Sequence, residues 1–471
     1  MKVMRPCKLV VLMVFALVVG VMAAPPADSQ GPIGLQKAIE VALENNYAVL
    51  TAREAIQGAE HLRKSAMTDF FPKLRAESSF TSLDRVPTVT QPATPAIPVF
   101  DVNNPANQIG FIPGSPASTQ AVGHRDSWTA RGSATQPLFT GGAIWNRYQQ
   151  AKLGVESTQT SLERVRQDLS LQVVQAYFNI LNAIEQKKVA DKAVQLLENQ
   201  RDVSQEFFNV GMIPKNDLLR TEVQLAQRVR EQTIAENAIE AAKAQFNLVL
   251  QRDVQTLVEP EDILSYEAAL FDLEGSIREA HERRLELREA ELRTATDARQ
   301  VNVVASSYYP QVQLTFSGFK SEGTSTSGGA GLTEGWSVVA GATWTFWEWG
   351  KTREDVSAAE SQVRRDRYAQ SLLRDQIAVE VKNAYLALIT TERNIATTKK
   401  AIEQAEEAFR MNQERYKEQV GTITEVLDSE TQLVQAESDY YTALSNYNVA
   451  KASMYRAMGL KVYEASPRKA P

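Results

Sequence analysis

Glu425 and Asp428 stand three positions apart in "GTITEVLDSETQLVQAE", one above the other on a helix face. Alone, two such acids are an ordinary solvated surface. Several chains placing them around one axis would make their protons harder to lose, favour cations and could bind a divalent ion. Little else has the residue types for reaction chemistry. His61, His124 and His281 are far apart and share no metal-ligand spacing with cysteine. No glycine-rich loop is followed by a phosphate-binding lysine, and no nucleophile elbow occurs. "HERRLELREAELR" (281–293) alternates in charge and suggests a solvated helix face. The expectation is a protein that is no enzyme, with no metal and no cofactor.

A second stretch, "FNVGMIPKND" (208–217), interrupts an otherwise helical segment. Gly211 tolerates a left-handed turn and suits a helix end, and Pro214 fits the first turn of the next helix. Asp217 then faces that helix's positive end. The stretch predicts the tip of a helical hairpin, with Met212 and Ile213 at an exposed turn. They either plug neighbouring hairpins or contact a partner. Trp145, Trp347 and Trp349 fall where strand gives way to helix, which suits a membrane-boundary aromatic belt or a packed core.

The elements that must carry these residues begin after a leader. Lys2, Arg5 and Lys8 precede the uncharged apolar run Leu9 to Met22, and small residues end at Ala23 and Ala24. Residues 1–24 predict a secretory signal peptide, with an uncleaved anchor as the alternative. Cys7, the only cysteine, lies inside it, so the exported chain carries no disulfide. The formal net charge of -6 becomes more negative once the leader is removed, which argues against nucleic acid. No later apolar run is long enough for a transmembrane helix.

The remainder is a duplication. "FFPKLRAESSF" (70–80) resembles "YYPQVQLTFSGF" (308–319). At one shared offset "QPLFTGG" (136–142) falls on "WTFWEWG" (344–350) and "FNVGMIPKNDLL" (208–219) on "YKEQVGTITEVL" (416–427). A first repeat at 25–250 has strands near 72–84 and 127–139 and a helical hairpin near 142–250 with its tip at 208–217. A linker at 251–266 leads to a second repeat at 267–460. Its strands lie near 310–320 and 335–347, and its hairpin near 350–459 has its tip at 416–425. A tail follows at 461–471. The first strand-to-strand loop is longer by about 30 residues and, being rich in Pro, Thr and Asn, predicts irregular structure.

Alternation puts Trp336, Val338, Ala340, Ala342, Trp344 and Phe346 on one strand face, and Val312, Leu314 and Phe316 on another. This suits a membrane barrel or a half-buried soluble sheet. From Gly142 to Asn209 and from Gly350 to Lys417 there is no proline, so each helix can reach roughly 100 Å. Leu162, Val165, Leu169, Val173 and Ala176 give one of them an apolar stripe. Four strands cannot close a barrel, and lipid tolerates no open edge, so a membrane reading demands several chains.

From about Leu35 to Leu460 the chain resembles the TolC-like outer-membrane efflux proteins, most specifically in "FNVGMIPKNDLL", "GTITEVLDSETQLVQAE", "PLFTGG" and "FWEWGK". The resemblance implies a mixed helical and β-barrel membrane protein. It implies a homotrimer whose twelve-stranded outer-membrane barrel, four strands per chain, would continue into a long periplasmic helical barrel. It implies an exit duct of a tripartite efflux or type I secretion system. The partners would be a periplasmic adaptor, an inner-membrane transporter of RND or ABC type, and outer-membrane lipid. A non-conducting periplasmic or surface coiled-coil scaffold is the competing reading.

Carried over by position, the family's periplasmic gate falls on Asn216, Asp217 and Tyr416, and its acidic lumen rings on Glu425 and Asp428. Adaptor-facing tips would be Val210, Gly211, Met212, Ile213 and Pro214, with Val420, Thr422 and Ile423 in the second copy. The family prototype pairs an arginine with the first-tip aspartate. Gly421 stands there in this chain, which implies a different latch.

Overall fold

The computed structural model describes residues 32–86, 88–121, 125–322 and 334–461. The expected leader with Cys7, His124 and the residues beyond 461 lie outside the described residues. Helices α1 (Leu35–Asn45) and α2 (Tyr47–Thr68) lead into strand β1 (Lys73–Ser82). The chain then runs out along β2 (Thr88–Gln91) and β3 (Ile97–Asp101). It returns along β4 (Asn104–Ile112), β5 (Ser118–Ala121) and β6 (Asp126–Phe139). Helices α3 (Ala143–Asn209) and α4 (Lys215–Leu250) form the first hairpin.

The second half repeats the plan. It comprises α5 (Leu273–Arg283), α6 (Leu285–Ala305), β7 (Gln311–Glu322), β8 (Glu334–Thr343), α7 (Lys351–Lys417) and α8 (Ile423–Ala457). Both long helices, α3 and α7, have 67 residues.

Four strands make one antiparallel sheet in the order β1-β6-β7-β8. Its register sorts side chains cleanly. Leu74, Ala134, Phe316 and Val338 form one row across the sheet, and Arg75, Ser133, Ser317 and Ser337 the next. Because successive side chains alternate, the middle of the sheet has one apolar and one polar face, while Lys320 and Glu334 face each other at the outer end of the apolar side. Hydroxyl pairs join strands on the polar face, with Ser317 Oγ and Ser337 Oγ 3.0 Å apart and Thr129 Oγ1 and Ser321 Oγ 3.3 Å apart. Among the described residues the apolar face is uncovered in a single chain: Leu74 is 83% and Trp336 73% exposed.

Two sequence expectations change here. The long first loop is not irregular: β2 pairs with β5 and β3 with β4, prolonging the β1–β6 hairpin outward. Its alternating β-branched and aromatic residues outweigh its prolines, since an isolated two-stranded ribbon has solvent-side positions that need no donor. Trp344 and Phe346 do not continue the β8 face, because the strand stops at Thr343. The Trp344 indole instead donates to the Tyr308 carbonyl at 3.1 Å, pinning the chain to the turn before β7.

Each strand-to-helix join uses two consecutive left-handed residues. Gly141 and Gly142 have φ of 58° and 86°, and Trp349 and Gly350 have 53° and 87°. Glycine is required at the first of these, where a Cβ on Gly141 would stand 2.5 Å from the Ser306 carbonyl oxygen. The join turns the chain sharply from sheet to helix, and each long helix starts at once.

Packing then explains why such long helices persist. α3 buries Leu162, Leu169, Val173 and Ala176 against α1, α2 and α4. α7 buries Ile377, Val381 and Leu388 against α5, α6 and α8. Each fully buried Leu, Ile or Phe contributes roughly 1.5–3 kcal/mol. The connecting strap is held by two buried tyrosines. Tyr177 Oη donates to the carbonyls of Ile33 and Glu261 at 3.0 and 2.8 Å, and Tyr447 Oη to Glu267 at 2.8 Å. Burial, then the Glu261 charge, pushes Tyr177 up to about 12. Burial, then nearby Tyr266 and Glu392, does the same for Tyr447.

Candidate functional site

The two hairpin tips are built alike although their sequences differ. At the first, Gly211 takes φ of 75°, its N–H donates to Phe208 and the Met212 N–H to Phe207. At the second, Gln419 takes φ of 56°, its N–H donates to Tyr416 and the Val420 N–H to Arg415. This is the paired-bond ending of a helix that needs one left-handed residue. Gly421 is therefore not the left-handed residue of its tip. Space there is tight, since a Cβ would lie 3.0 Å from Arg415 Cβ and 3.2 Å from Glu425 Oε2.

The return helices start with different chemistry. Pro214 is the N-cap of α4, one place earlier than the first-turn position its sequence suggests, and Asp217 supplies the acid of the first turn. Thr422 caps α8 through a reciprocal box: its hydroxyl accepts from the Glu425 N–H, and the Glu425 carboxylate accepts from the Thr422 N–H, both at 3.3 Å. Glu425 also lies 3.9 Å from Arg415. Its carboxylate thus has local partners, whereas Asp428 is exposed.

Among the gate positions Asn216, Asp217, Tyr416 and Gly421, Tyr416 is the buried one, 4% exposed within Phe409, Ile423, Val426 and Leu433. Its ring packs on Phe207 with centroids 5.8 Å apart, and its hydroxyl lies 3.3 Å from Ser204 Oγ. The residue thereby ties the second tip to α3. Burial raises the Tyr416 pKa, Ser204 works against that, and the Asp217 charge adds to it. The structure accordingly brings Asp217 and Tyr416 into electrostatic reach, while Asn216 is exposed. Val210, Met212 and Val420 are 69%, 53% and 68% exposed. Gly211, Pro214 and Thr422 are also exposed, and Ile213 is half-buried. Ile423 departs from the exposed set: at 3% exposure it packs inward, because it is the first residue of α8 and faces Tyr416.

Sequence reasoning missed the ion pairs between helices. Arg228 on α4 reaches Glu430 on α8 through two bonds, Nε to Oε1 at 3.1 Å and Nη2 to Oε2 at 2.9 Å. Burial is the largest influence on Glu430 and raises its pKa, against the lowering effect of Arg228. The 281–293 stretch is likewise no plain solvated face. The Arg284 side chain is 5% exposed, grips Glu380 through two 2.9 Å bonds and pairs with Glu286 at 2.9 Å. Glu286 in turn receives Arg456 at 2.7 Å, and Arg456 reaches Asp168 on α3. Only the packing of α3, α7 and α8 against this segment brings those partners together.

At the strand ends Trp347 packs edge-to-face on Trp349 at 5.7 Å, and Trp145 packs on Tyr148 at 6.2 Å. All three tryptophans are more than half exposed, Trp349 at 89%. Among the described residues no group of acids, histidines or cysteines could hold a metal, and no helix is long and apolar enough to cross a membrane.

Residues 38–250 and 276–460 match the outer membrane efflux protein family. A match of that extent, on this duplicated architecture, places the chain in the family, whose members are conduits rather than catalysts. No curated protein matches it significantly by sequence. Among solved structures it is similar to the outer-membrane channel OprN, at 19% identity over 91% of this chain and 90% of that one, with a TM-score of 0.71. It is similar to the outer membrane protein VceC of Vibrio cholerae at 15% identity, over 91% of this chain and 96% of that one, with a TM-score of 0.70. The MtrE outer membrane channel of Neisseria gonorrhoeae, solved in an open state, is 18% identical over 91% of this chain and 89% of that one, with a TM-score of 0.66.

Proposed function

We propose that the chain is the outer-membrane exit duct of a tripartite efflux or type I secretion system. The observation that carries this is the four-stranded sheet. Its middle has one apolar and one polar face, its edges β1 and β8 are unpaired, and it runs directly into helices of 67 residues. In hydrocarbon an open edge leaves backbone groups unsatisfied at several kcal/mol each, so the edges must pair with other copies. Three copies close twelve strands, with the apolar rows toward lipid and the hydroxyl rows toward a wet lumen. The helices, about 100 Å long, then extend the duct into the periplasm.

In this assembly Trp145, Trp347 and Trp349 are available to a boundary belt. Asn216, Asp217 and Tyr416 sit at the inner end as the gate, with Glu425 and Asp428 as acidic rings. Exposed Val210, Met212 and Val420 are the apolar points for a periplasmic adaptor, which couples the duct to an RND or ABC-type inner-membrane transporter. The duct itself is passive.

The mass of the detergent-purified complex, with bound detergent excluded, tests the assembly. Three copies support it. Recovery as a monomer in a detergent-free periplasmic extract would leave a coiled-coil scaffold as the reading.

A further inference from the structure

From Val86 to Gly123 the chain carries one charge, Asp101, whose carboxylate is used locally, accepting the Asn103 N–H at 2.9 Å. This stretch holds the two outer ribbons, β2–β5 and β3–β4, beyond the four-stranded sheet. In the β3–β4 ribbon Ile97 stands opposite Ile112, Val99 opposite Gly110 and Pro98 opposite Phe111. Alternation therefore puts Ile97, Val99 and Ile112 on one face, and Pro98, Phe100 and Phe111 on the other. Ile97, Phe100, Phe111 and Ile112 are between 47% and 63% exposed. Among the described residues both faces are thus apolar and uncovered in a single chain.

Such a ribbon is a poor structure by itself. An isolated two-stranded hairpin is marginal in water, and contiguous apolar surface marks a contact. The other strand pair of the chain, β7 and β8, cannot supply the cover. It is joined by the far shorter stretch from Glu322 to Glu334, which cannot follow β3 so far outward. A layer of anionic headgroups calls for Lys or Arg, and the stretch from Val86 to Gly123 has neither.

Position supplies the occupant. The ribbons follow β1, the edge strand, which in a twelve-stranded barrel meets β8 of the next copy, so each ribbon rises at a boundary between copies. The ladder is interrupted between β2–β5 and β3–β4. There the Thr94 N–H donates to the Ser115 carbonyl at 2.9 Å and the Ser115 N–H to Thr94 Oγ1 at 3.0 Å. Gly114 backs so closely on Thr94 that a Cβ would stand 2.1 Å from its carbonyl oxygen. The outer ribbon is thereby a separate sheet, off the ladder of the barrel strands. A ring of three copies gives every ribbon two neighbours, one for each apolar face. The two faces differ, as a head-to-tail ring requires.

Resting on the duct reading, we infer that the β3–β4 ribbons of three copies form a collar around the outer mouth, with the Ile97, Val99 and Ile112 face of one against the Pro98, Phe100 and Phe111 face of the next. The longer loop of the first repeat then adds a contact between copies outside the membrane to the one made by the strand edges.

The test uses the full chain, in outer-membrane vesicles and after detergent extraction. Ile97→Cys and Phe111→Cys are introduced together, in a chain whose only natural cysteine is Cys7. Within one chain the two positions lie on opposite faces, whereas the collar brings them together between copies. A short thiol cross-linker is expected to give covalent trimers on a denaturing gel, while either single variant stays monomeric there. Double-variant chains that stay monomeric on the gel, although the native complex is a trimer, overturn the collar and leave the duct standing. A native complex that is no trimer overturns the duct and the collar with it. Single thiols provide a second measurement. In detergent, Phe111→Cys should react with a soluble maleimide on the order of tenfold more slowly than Val102→Cys, at the 94% exposed end of the ribbon. Equal rates in an intact trimer refute the collar. Slow reaction in vesicles that becomes equal in detergent assigns the cover to lipid and refutes it as well.

Discussion

Tyr416→Phe isolates one contact at the tip. The substitution keeps the ring against Phe207 and removes the hydroxyl that lies 3.3 Å from Ser204 Oγ. Ser204 has no solvent exposure and Tyr416 4%, so the serine loses its phenol partner where water does not readily replace it. An unmade buried hydrogen bond of this kind costs about 1–3 kcal/mol. Ser204→Ala strands the phenol instead and should cost a similar amount. Removing both partners leaves nothing unsatisfied, so the double variant should cost only ~0.5–1.5 kcal/mol. The signature is therefore a coupling energy of about 1.5–4.5 kcal/mol, with the double variant milder than the sum of the singles. Amide hydrogen exchange across the second tip, in the detergent-purified full chain, reads the local opening energy directly. Either single should accelerate exchange roughly 5- to 150-fold, since each 1.4 kcal/mol is about tenfold. Equal additivity of the two changes, or unaltered exchange in Tyr416→Phe, would refute the claim that this pair ties the second hairpin to α3.

The remaining expectations use other parts of the molecule. Burial alone would raise the Glu286 carboxyl, but Arg456 and Arg284 outweigh it and hold its pKa below the ordinary carboxylate range. Its contribution to stability is therefore complete above about pH 4.3 and lost as pH falls through the lowered value. Acid unfolding of Glu286→Gln should show a shallower pH dependence in that window. Gly141→Ala forces a Cβ to 2.5 Å from the Ser306 carbonyl oxygen at φ of 58° and should prevent recovery of folded protein, whereas Trp349→Gly relieves the equivalent left-handed residue by about 1–2 kcal/mol. Thermal unfolding of the two variants checks both signs. On the sheet, Val338→Arg on the apolar face should cost about 2–4 kcal/mol of membrane stability, while Ser337→Arg on the polar face should be tolerated; folding yields into lipid vesicles compare them. Glu425→Gln with Asp428→Asn should lower cation preference, and an unaltered reversal potential would count against acidic rings in the lumen.

Much of the architecture was legible because it is written in short-range patterns. Prolines absent from Gly142 to Asn209 and from Gly350 to Lys417 allow two helices of equal length, and the period of two in β7 and β8 marks a sheet with unlike faces. The shared offset between repeats even aligns Pro214 with Thr422 and Asp217 with Glu425, which do occupy the same N-terminal positions of α4 and α8. Such features depend on a residue and its near neighbours, so one sequence suffices.

Other features depended on elements far apart along the chain. Gly421 looks like a tip glycine, yet Gln419 takes the left-handed position, and residue 421 stands close against Arg415 and Glu425. Pro, Thr and Asn suggested a formless outer loop, but pairing of β2 with β5 and β3 with β4 made it a ribbon. Arg228 and Glu430 look like any two charges on polar helices, separated by more than half of the second repeat. Only the packing of α4 beside α8 strips them of water and points them at each other. The sequence by itself determined the repeat, the helices, the sheet and the family. Tertiary structure alone decided which polar residues are partners, because burial and opposition are properties of assembled surfaces and leave no mark in local spacing.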